Sequence, residues 1–277
     1  MITTPLFLDT AGGRCFAVHH RPENAADTRG QVLCVLPFNE EMNRCRSMVT
    51  LQARALAEQG FGTLVVDLLG TGDSEGEHGQ ARWSAWLHNL RDASRWLDAQ
   101  PGPRRVIWGI RLGAILAAQL HAERNDANTA LLLWQAVADG KTHLTQFLRV
   151  RIAANMDRPE LPKETNATMR AQWQAGQSVE VAGYEIHPDL AAAIDEAKLT
   201  AHSLPAGTSV LWLENAVGDP PGPTPASQAL LQRWPGPACR GELQVFDGPA
   251  FWQVHERVLA PQAIDRSMQW LKAWAAA

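Results

Sequence analysis

The chain has 277 residues, 45% of them hydrophobic and 19% charged, with 25 Lys and Arg against 29 Asp and Glu. That composition excludes a disordered, collagen-like or fibrous protein, and a formal charge of −4 without a basic stripe argues against nucleic acid as the partner. No run reaches the roughly 18 apolar residues of a membrane span, and the opening residues lack a basic and then apolar leader, so neither membrane insertion nor export is expected.

Leu6–Leu8 and Cys15–Val18, separated by Ala11-Gly12-Gly13, predict an antiparallel opening hairpin. Six short apolar runs follow, at Val32–Leu36, Thr63–Val66, Val106–Trp108, Ala130–Trp134, Ser209–Leu213 and Leu243–Phe246, each bounded by Gly, Pro or polar residues. Helical periods alternate with them. Met48–Gln59 is stopped by Gly60, residues 80–98 carry Trp83, Trp86, Leu87, Leu90, Ala93 and Leu97, and Pro261 opens a last helix with Ile264, Met268, Leu271 and Trp274. The fold class expected is α/β, a mainly parallel sheet with helices on both faces, and the tryptophans read as core residues.

Residues 140–205 interrupt the alternation with more chain than a crossover needs. They hold helical patterns at Leu144–Asn155 and Pro188–Lys198, a Pro-rich turn at Arg158–Pro162 and a hairpin pattern over Val179–Ile186. The expectation is a cap at residues 140–205 inserted into a core of residues 1–139 and 206–277. Gly218–Pro225 reads as a Pro/Gly-rich loop.

Two motifs carry the chemistry. Val106-Ile-Trp-Gly109-Ile-Arg111-Leu-Gly113 is a strand running into a helix through two glycines, the pattern of a nucleophile elbow. Asp67-Leu-Leu-Gly-Thr-Gly-Asp-Ser74 follows an earlier strand, and the two in this order resemble the α/β-hydrolase superfamily. Pro37–Arg46, Trp108–Ala114, Leu132–Lys141, Gln146–Ala154 and Gly248–Gln253 are more narrowly similar to the exosortase A system-associated hydrolase type 2 family. The resemblance implies a bacterial cytoplasmic protein of α/β-hydrolase fold, encoded with exopolysaccharide and protein-sorting machinery. An exopolysaccharide-pathway intermediate or a pathway protein is the partner it implies.

The residues fit serine hydrolysis poorly. The elbow holds Arg111, whose guanidinium stays protonated and cannot attack or accept a proton. The base would follow the last strand at Phe251. His255, one turn further on if a helix follows, is a displaced base candidate, and Asp219, Glu214 and Asp139 are candidate acids or plain loop carboxylates. On the oxyanion side stand Phe38, Asn39, Glu40 and Glu41. Two readings follow. Arg111 pairs with Glu40 or Glu41 and plugs the site, or Arg111 binds the anionic group of a small molecule, with Leu112, Phe38, Asn39, Glu40, Glu41, Phe251 and Trp252 around it.

Ser74 reads as a turn cap, and Cys34 and Cys45 as buried thiols. With Cys15 and Cys239 they lack metal-ligand spacing, and His19-His20 has no acidic partner nearby, so no metal is expected. Asp67-Leu-Leu-Gly-Thr-Gly is not a dinucleotide fingerprint, and no cofactor is implied. Three functions remain: anion binding under the cap, a non-standard ester or acyl hydrolase or transferase, and a catalytically inactive interaction module.

Overall fold

The structure, a computed structural model, describes residues 1–156 and 163–276. The turn expected at Arg158–Pro162 lies outside the described residues. β1 (Ile2–Thr10) and β2 (Gly13–Arg21) form the opening hairpin, with Phe7 opposite Phe16. Strand and helix then alternate: β3 (Gly30–Val35), α1 (Glu40–Glu58), β4 (Phe61–Val66), α2 (Trp83–Asp98), β5 (Arg104–Ile110), α3 (Gly113–Arg124) and β6 (Thr129–Trp134). Next come α4 (Gly140–Asn155), α5 (Asn166–Gln174), a two-stranded hairpin of β7 (Val179–Val181) and β8 (Tyr184–Ile186), and α6 (Pro188–Glu196). The chain closes with β9 (Ser209–Asn215), α7 (Pro225–Leu231), β10 (Arg240–Phe246) and α8 (Pro261–Ala276).

The eight-stranded sheet has the order β1-β2-β4-β3-β5-β6-β9-β10, antiparallel at β1, β2 and β4 and parallel from β4 onward. Its central strands are apolar on both sides because both faces are covered. Met48, Leu56, Trp270 and Leu271 of α1 and α8 fill one face, and Trp86, Leu90, Ile115 and Leu116 of α2 and α3 the other.

The residues between β6 and β9 pack onto this second layer. Leu144, Leu148, Trp173, Val179, Ile186, Leu190 and Ile194 share one apolar cluster with α2 and α3. His78 Nδ1 lies 2.7 Å from the Glu185 carbonyl, and Arg82 pairs with Asp189 at 3.3 Å.

α1 is longer than its sequence reading. α1 begins at Glu40, two turns before Met48, because Met42, Cys45, Met48, Val49 and Gln52 make one buried face that the intervening Asn43, Arg44 and Arg46 disguise. α8 starts at Pro261, as its sequence pattern predicts, and no helix covers residues 251–259, so the turn of helix that a displaced base at His255 supposed is absent. Proline disfavours helical backbone in the residue before it, so α8 does not extend upstream through Ala260.

The elbow itself depends on its two glycines. A Cβ on Gly109 would meet Ala114 Cα at 2.6 Å, and one on Gly113 would meet the carbonyl oxygens of Leu36 and Val35 at 2.4 and 2.5 Å. Those obstacles are backbone atoms and cannot swing aside. Gly113→Ala is therefore expected to lower stability by about 2 kcal/mol or more in urea denaturation. A loss below about 0.5 kcal/mol would contradict the close approach of β3 and α3.

Candidate functional site

Arg111 stands between β5 and α3 with φ +54°, in the left-handed region. A non-glycine residue there costs about 1–3 kcal/mol, so its surroundings must hold it. Its N–H donates to the Trp134 carbonyl at 3.0 Å, and its own carbonyl accepts from Ala114 at 3.0 Å and Val137 at 3.2 Å. The backbone is that of a nucleophile elbow; the side chain is not a nucleophile.

That side chain turns to α1. Nε donates to Glu41 Oε1 at 3.0 Å, Nη2 lies 3.0 Å from the same oxygen, and Nη1 donates to the Gln135 carbonyl at 3.3 Å. The guanidinium carbon is 5.6 Å from the centre of the Trp252 ring. The two side chains are only 13% and 17% exposed, so the pair is little screened by water. Of the two glutamates weighed for Arg111, Glu41 is its partner. Glu40 binds Arg44 at 2.6 Å, one turn along α1, and both carboxylates sit in the first turn, where the helix dipole favours negative charge.

These two pairs and His143 line a cavity of about 150 Å³, with Phe38, Gln253 and the α4 residues Gln146, Phe147 and Val150 completing its wall. His143 is 6% exposed. Burial pushes its imidazole down to about 4, Arg111 acts in the same direction, and Glu41 opposes. The ring is thus neutral at pH 7. Glu41 Oε2 and His143 Nε2 are both buried without a hydrogen-bond partner among the described residues. Sequence reading missed His143, although His143, Gln146, Phe147 and Val150 recur at the three- and four-residue spacing of one helical face.

The other candidates are scattered. Phe251 fills the base position and is buried, its ring 5.9 Å from Trp134 and 5.1 Å from Trp252. His255 lies on an exposed loop rather than on a helix, with its ring nitrogens 3.3 and 3.4 Å from Arg44 Nη2. Asp219 is exposed in the loop after β9. Glu214 is buried but committed to the start of α7, accepting from the Thr224 amide and the Ser227 hydroxyl at 2.6 Å each. Asp139 caps α4 by accepting from the Thr142 amide at 2.8 Å. Leu112 is buried beneath the elbow.

Asn39 has φ +51° and holds His78 Nε2 with its side-chain oxygen at 2.6 Å. Ser74 ties a turn, donating to the Asp67 carbonyl at 2.6 Å and accepting from the Phe16 amide at 2.8 Å. Burial raises the pKa of both Cys34 and Cys45, which keeps these thiols protonated and unreactive. His19 meets Gln31 and the edge of Trp96, and burial lowers its pKa. Among the described residues no group of three His, Cys, Asp or Glu is placed to hold a metal ion, and no helix is long and apolar enough to cross a membrane.

Sheet order, flanking helices and the β5–α3 elbow together define a protein of α/β-hydrolase fold. The chain belongs to the family of the serine aminopeptidase S33 model, which matches residues 26–210. Among solved structures it is similar to the ferulic acid complex of Est1E from Butyrivibrio proteoclasticus, with TM-score 0.70 and 15% identity over 98% of this chain and 100% of that one. It is also similar to the α/β-hydrolase GrgF from Penicillium sp. sh18, with TM-score 0.66 and 16% identity over 100% of both chains. A hydrolase from Agrobacterium vitis S4, described as putative, gives TM-score 0.62 and 17% identity over 99% of this chain and 98% of that one. At these identities the likeness is one of fold. No curated protein matches the chain.

The buried imidazole of His143 ties the stability of the fold to pH. Its pKa in the folded chain, about 4, lies below the ordinary 6.5, so the unfolded chain takes up the proton first. The stability it contributes is complete above pH 6.5 and drains away as pH falls toward 4, at up to about 1.4 kcal/mol per unit. Between pH 7 and pH 5 the wild type should therefore lose about 1–2 kcal/mol more than His143→Gln in urea denaturation. Equal losses would contradict the burial of this ring.

Proposed function

We propose that the protein is a small-molecule binding member of the α/β-hydrolase fold that has left serine-hydrolase chemistry. In this reading residues 140–205 act as a cap, and the cavity beside Arg111 receives the anionic group of a ligand. The observation that carries the proposal is Arg111 at the nucleophile position, tied to Glu41 at 3.0 Å and lining a cavity.

A guanidinium cannot attack an ester, and buried Phe251 supplies no base to a hydroxyl placed at the elbow. Anion binding draws support from the arginine donors. Of the five N–H groups of Arg111, two donate, one to Glu41 Oε1 and one to the Gln135 carbonyl, and Arg44 lines the same cavity. Both are suited to carboxylate or phosphate. Est1E, of the same fold, is known with ferulic acid bound, and ferulic acid is a carboxylic acid. The resemblance to the exosortase A system-associated family extends the proposal to a cytoplasmic role in a bacterial exopolysaccharide system, with a pathway intermediate as the ligand.

Hydrolysis of p-nitrophenyl acetate should stay at the uncatalysed rate for the wild type and for Arg111→Ser, and a fluorophosphonate should leave the intact mass of both unchanged. Turnover about 100-fold above background in the wild type, or a fluorophosphonate adduct on it, would favour the non-standard hydrolase instead. Binding of propionate, followed by NMR titration, should weaken about tenfold or more in Arg111→Gln. Equal binding by the two proteins would remove Arg111 from the anion's seat.

A further inference from the structure

We infer that the protein carries a second ligand site, between the opening hairpin and the end of α2, that takes a small aromatic carboxylate, its carboxylate on Arg21 and its ring against Trp96. The inference does not depend on the reading of Arg111 above, because the two cavities share no residue.

A cavity of about 360 Å³ lies where β1 and β2 meet the loop before β3 and the C-terminal turn of α2. It adjoins Gln31 near the start of β3 and Pro101 before β5, whereas Arg111 follows the end of β5. β5, seven residues and about 20 Å long, therefore separates the two places. The volume falls within the roughly 300–1,000 Å³ of small-molecule pockets.

Strand register arranges the walls of this cavity. Alternate residues of a strand share a face, so Arg21, His19 and Ala17 of β2 stand on one face with Ile2, Thr4 and Leu6 of β1 opposite them. Arg21 lies at one end of that face, and the Leu6 rung is four residues away, about 13 Å. Trp96 of α2 sits beside the rung between, its ring 5.0 Å from that of His19. A molecule anchored at Arg21 thus has an indole and the apolar surfaces of Leu6, Pro22 and Pro101 along its length. Arg21 and Trp96 are both half-buried, so each keeps surface that a ligand can touch.

Charge decides the sign of the ligand. Among the described residues no Asp or Glu lines this cavity, in contrast to the one beside Arg111, where Glu41 and Glu40 balance Arg111 and Arg44. Glu23, two residues beyond Arg21, binds the N-terminal ammonium at 3.0 Å. Burial lowers the pKa of His19, whose Nε2 meets Gln31 Oε1 at 3.2 Å, so this ring adds no charge at pH 7. Arg21 is left as the charge on the cavity wall, and its planar guanidinium matches a carboxylate. An amino acid is disfavoured, since its ammonium would meet no carboxylate here. The indole of Trp96 favours a ring over an alkyl chain, because aromatic pairs gain beyond the area they bury.

3-Phenylpropionate, its neutral amide and hexanoate separate these requirements. In the full chain labelled with nitrogen-15, 3-phenylpropionate is expected to shift the Trp96 indole N–H signal, assigned from Trp96→Phe. Its Kd should lie about tenfold or more below that of 3-phenylpropionamide and about threefold or more below that of hexanoate. Arg21→Met should weaken the acid about tenfold or more, while Arg111→Gln should leave it within about twofold.

Equal affinity for acid and amide, or undiminished affinity in Arg21→Met, would overturn the role of Arg21 and the inference with it. Equal affinity for hexanoate would overturn the aromatic class. A loss in Arg111→Gln alone would place the acid in the other cavity, and an unmoved Trp96 signal at about 50 mM would leave no site here. Should Arg21→Met fail to fold by circular dichroism, the comparison of acid and amide at the Trp96 signal of the wild type still decides.

Discussion

The contact between Arg111 and Glu41 organises this site. It joins the turn between β5 and α3 to the first turn of α1, and it balances a guanidinium that would otherwise be a poorly solvated charge. The backbone of the elbow is present in full: the left-handed conformation at Arg111, the two glycines without room for a Cβ, and the backbone bonds to Trp134, Ala114 and Val137. A strained elbow that would display a hydroxyl displays a charge instead, and that charge has a carboxylate and an indole face to rest on.

The neighbouring candidate positions have structural duties. Phe251 belongs to a buried aromatic cluster with Trp134, Phe246 and Trp252, which serves packing and cannot move protons. The carboxylates nearest in sequence to a triad acid have local duties, Glu214 at the start of α7 and Asp139 at the start of α4. His255 meets Arg44 at the surface. No nucleophile, base and acid are brought together among these candidates. What does converge is a small cavity lined by two internally balanced ion pairs and by His143.

Much of the fold could be read from the sequence because its signals are coarse. Six of the sheet strands contain short apolar runs, and buried parallel strands need little else, while β1 and β2 were legible as two runs about a glycine turn. The elbow was legible because two glycines flank one residue at a strand end, and the pairing of Arg111 could be narrowed to two adjacent glutamates but not to Glu41, since a single residue step on α1 decides it. The early start of α1 and the whole of α5 were hidden by polar composition; α5 buries only Met169 and Trp173. The last helix starts at Pro261 as its sequence pattern indicates, and the helical turn on which a displaced base at His255 depended is absent. His143 escaped notice for a different reason. A histidine on an amphipathic helix is ordinary, and only the packing of α4 toward Arg111 shows that its ring shares a cavity with the elbow.

The central claim is that Arg111 and Glu41 form one energetic unit in place of a catalytic nucleophile. The most direct measurement is a double-mutant cycle of Arg111→Met and Glu41→Met, scored by urea denaturation at low salt. Each single substitution strands the other charge in a site that is mostly removed from water, so the double variant should be more stable than additivity allows, by about 1–3 kcal/mol. Additivity to within about 0.5 kcal/mol would mean that the two side chains are merely adjacent, and would contradict an elbow rebuilt around their ion pair.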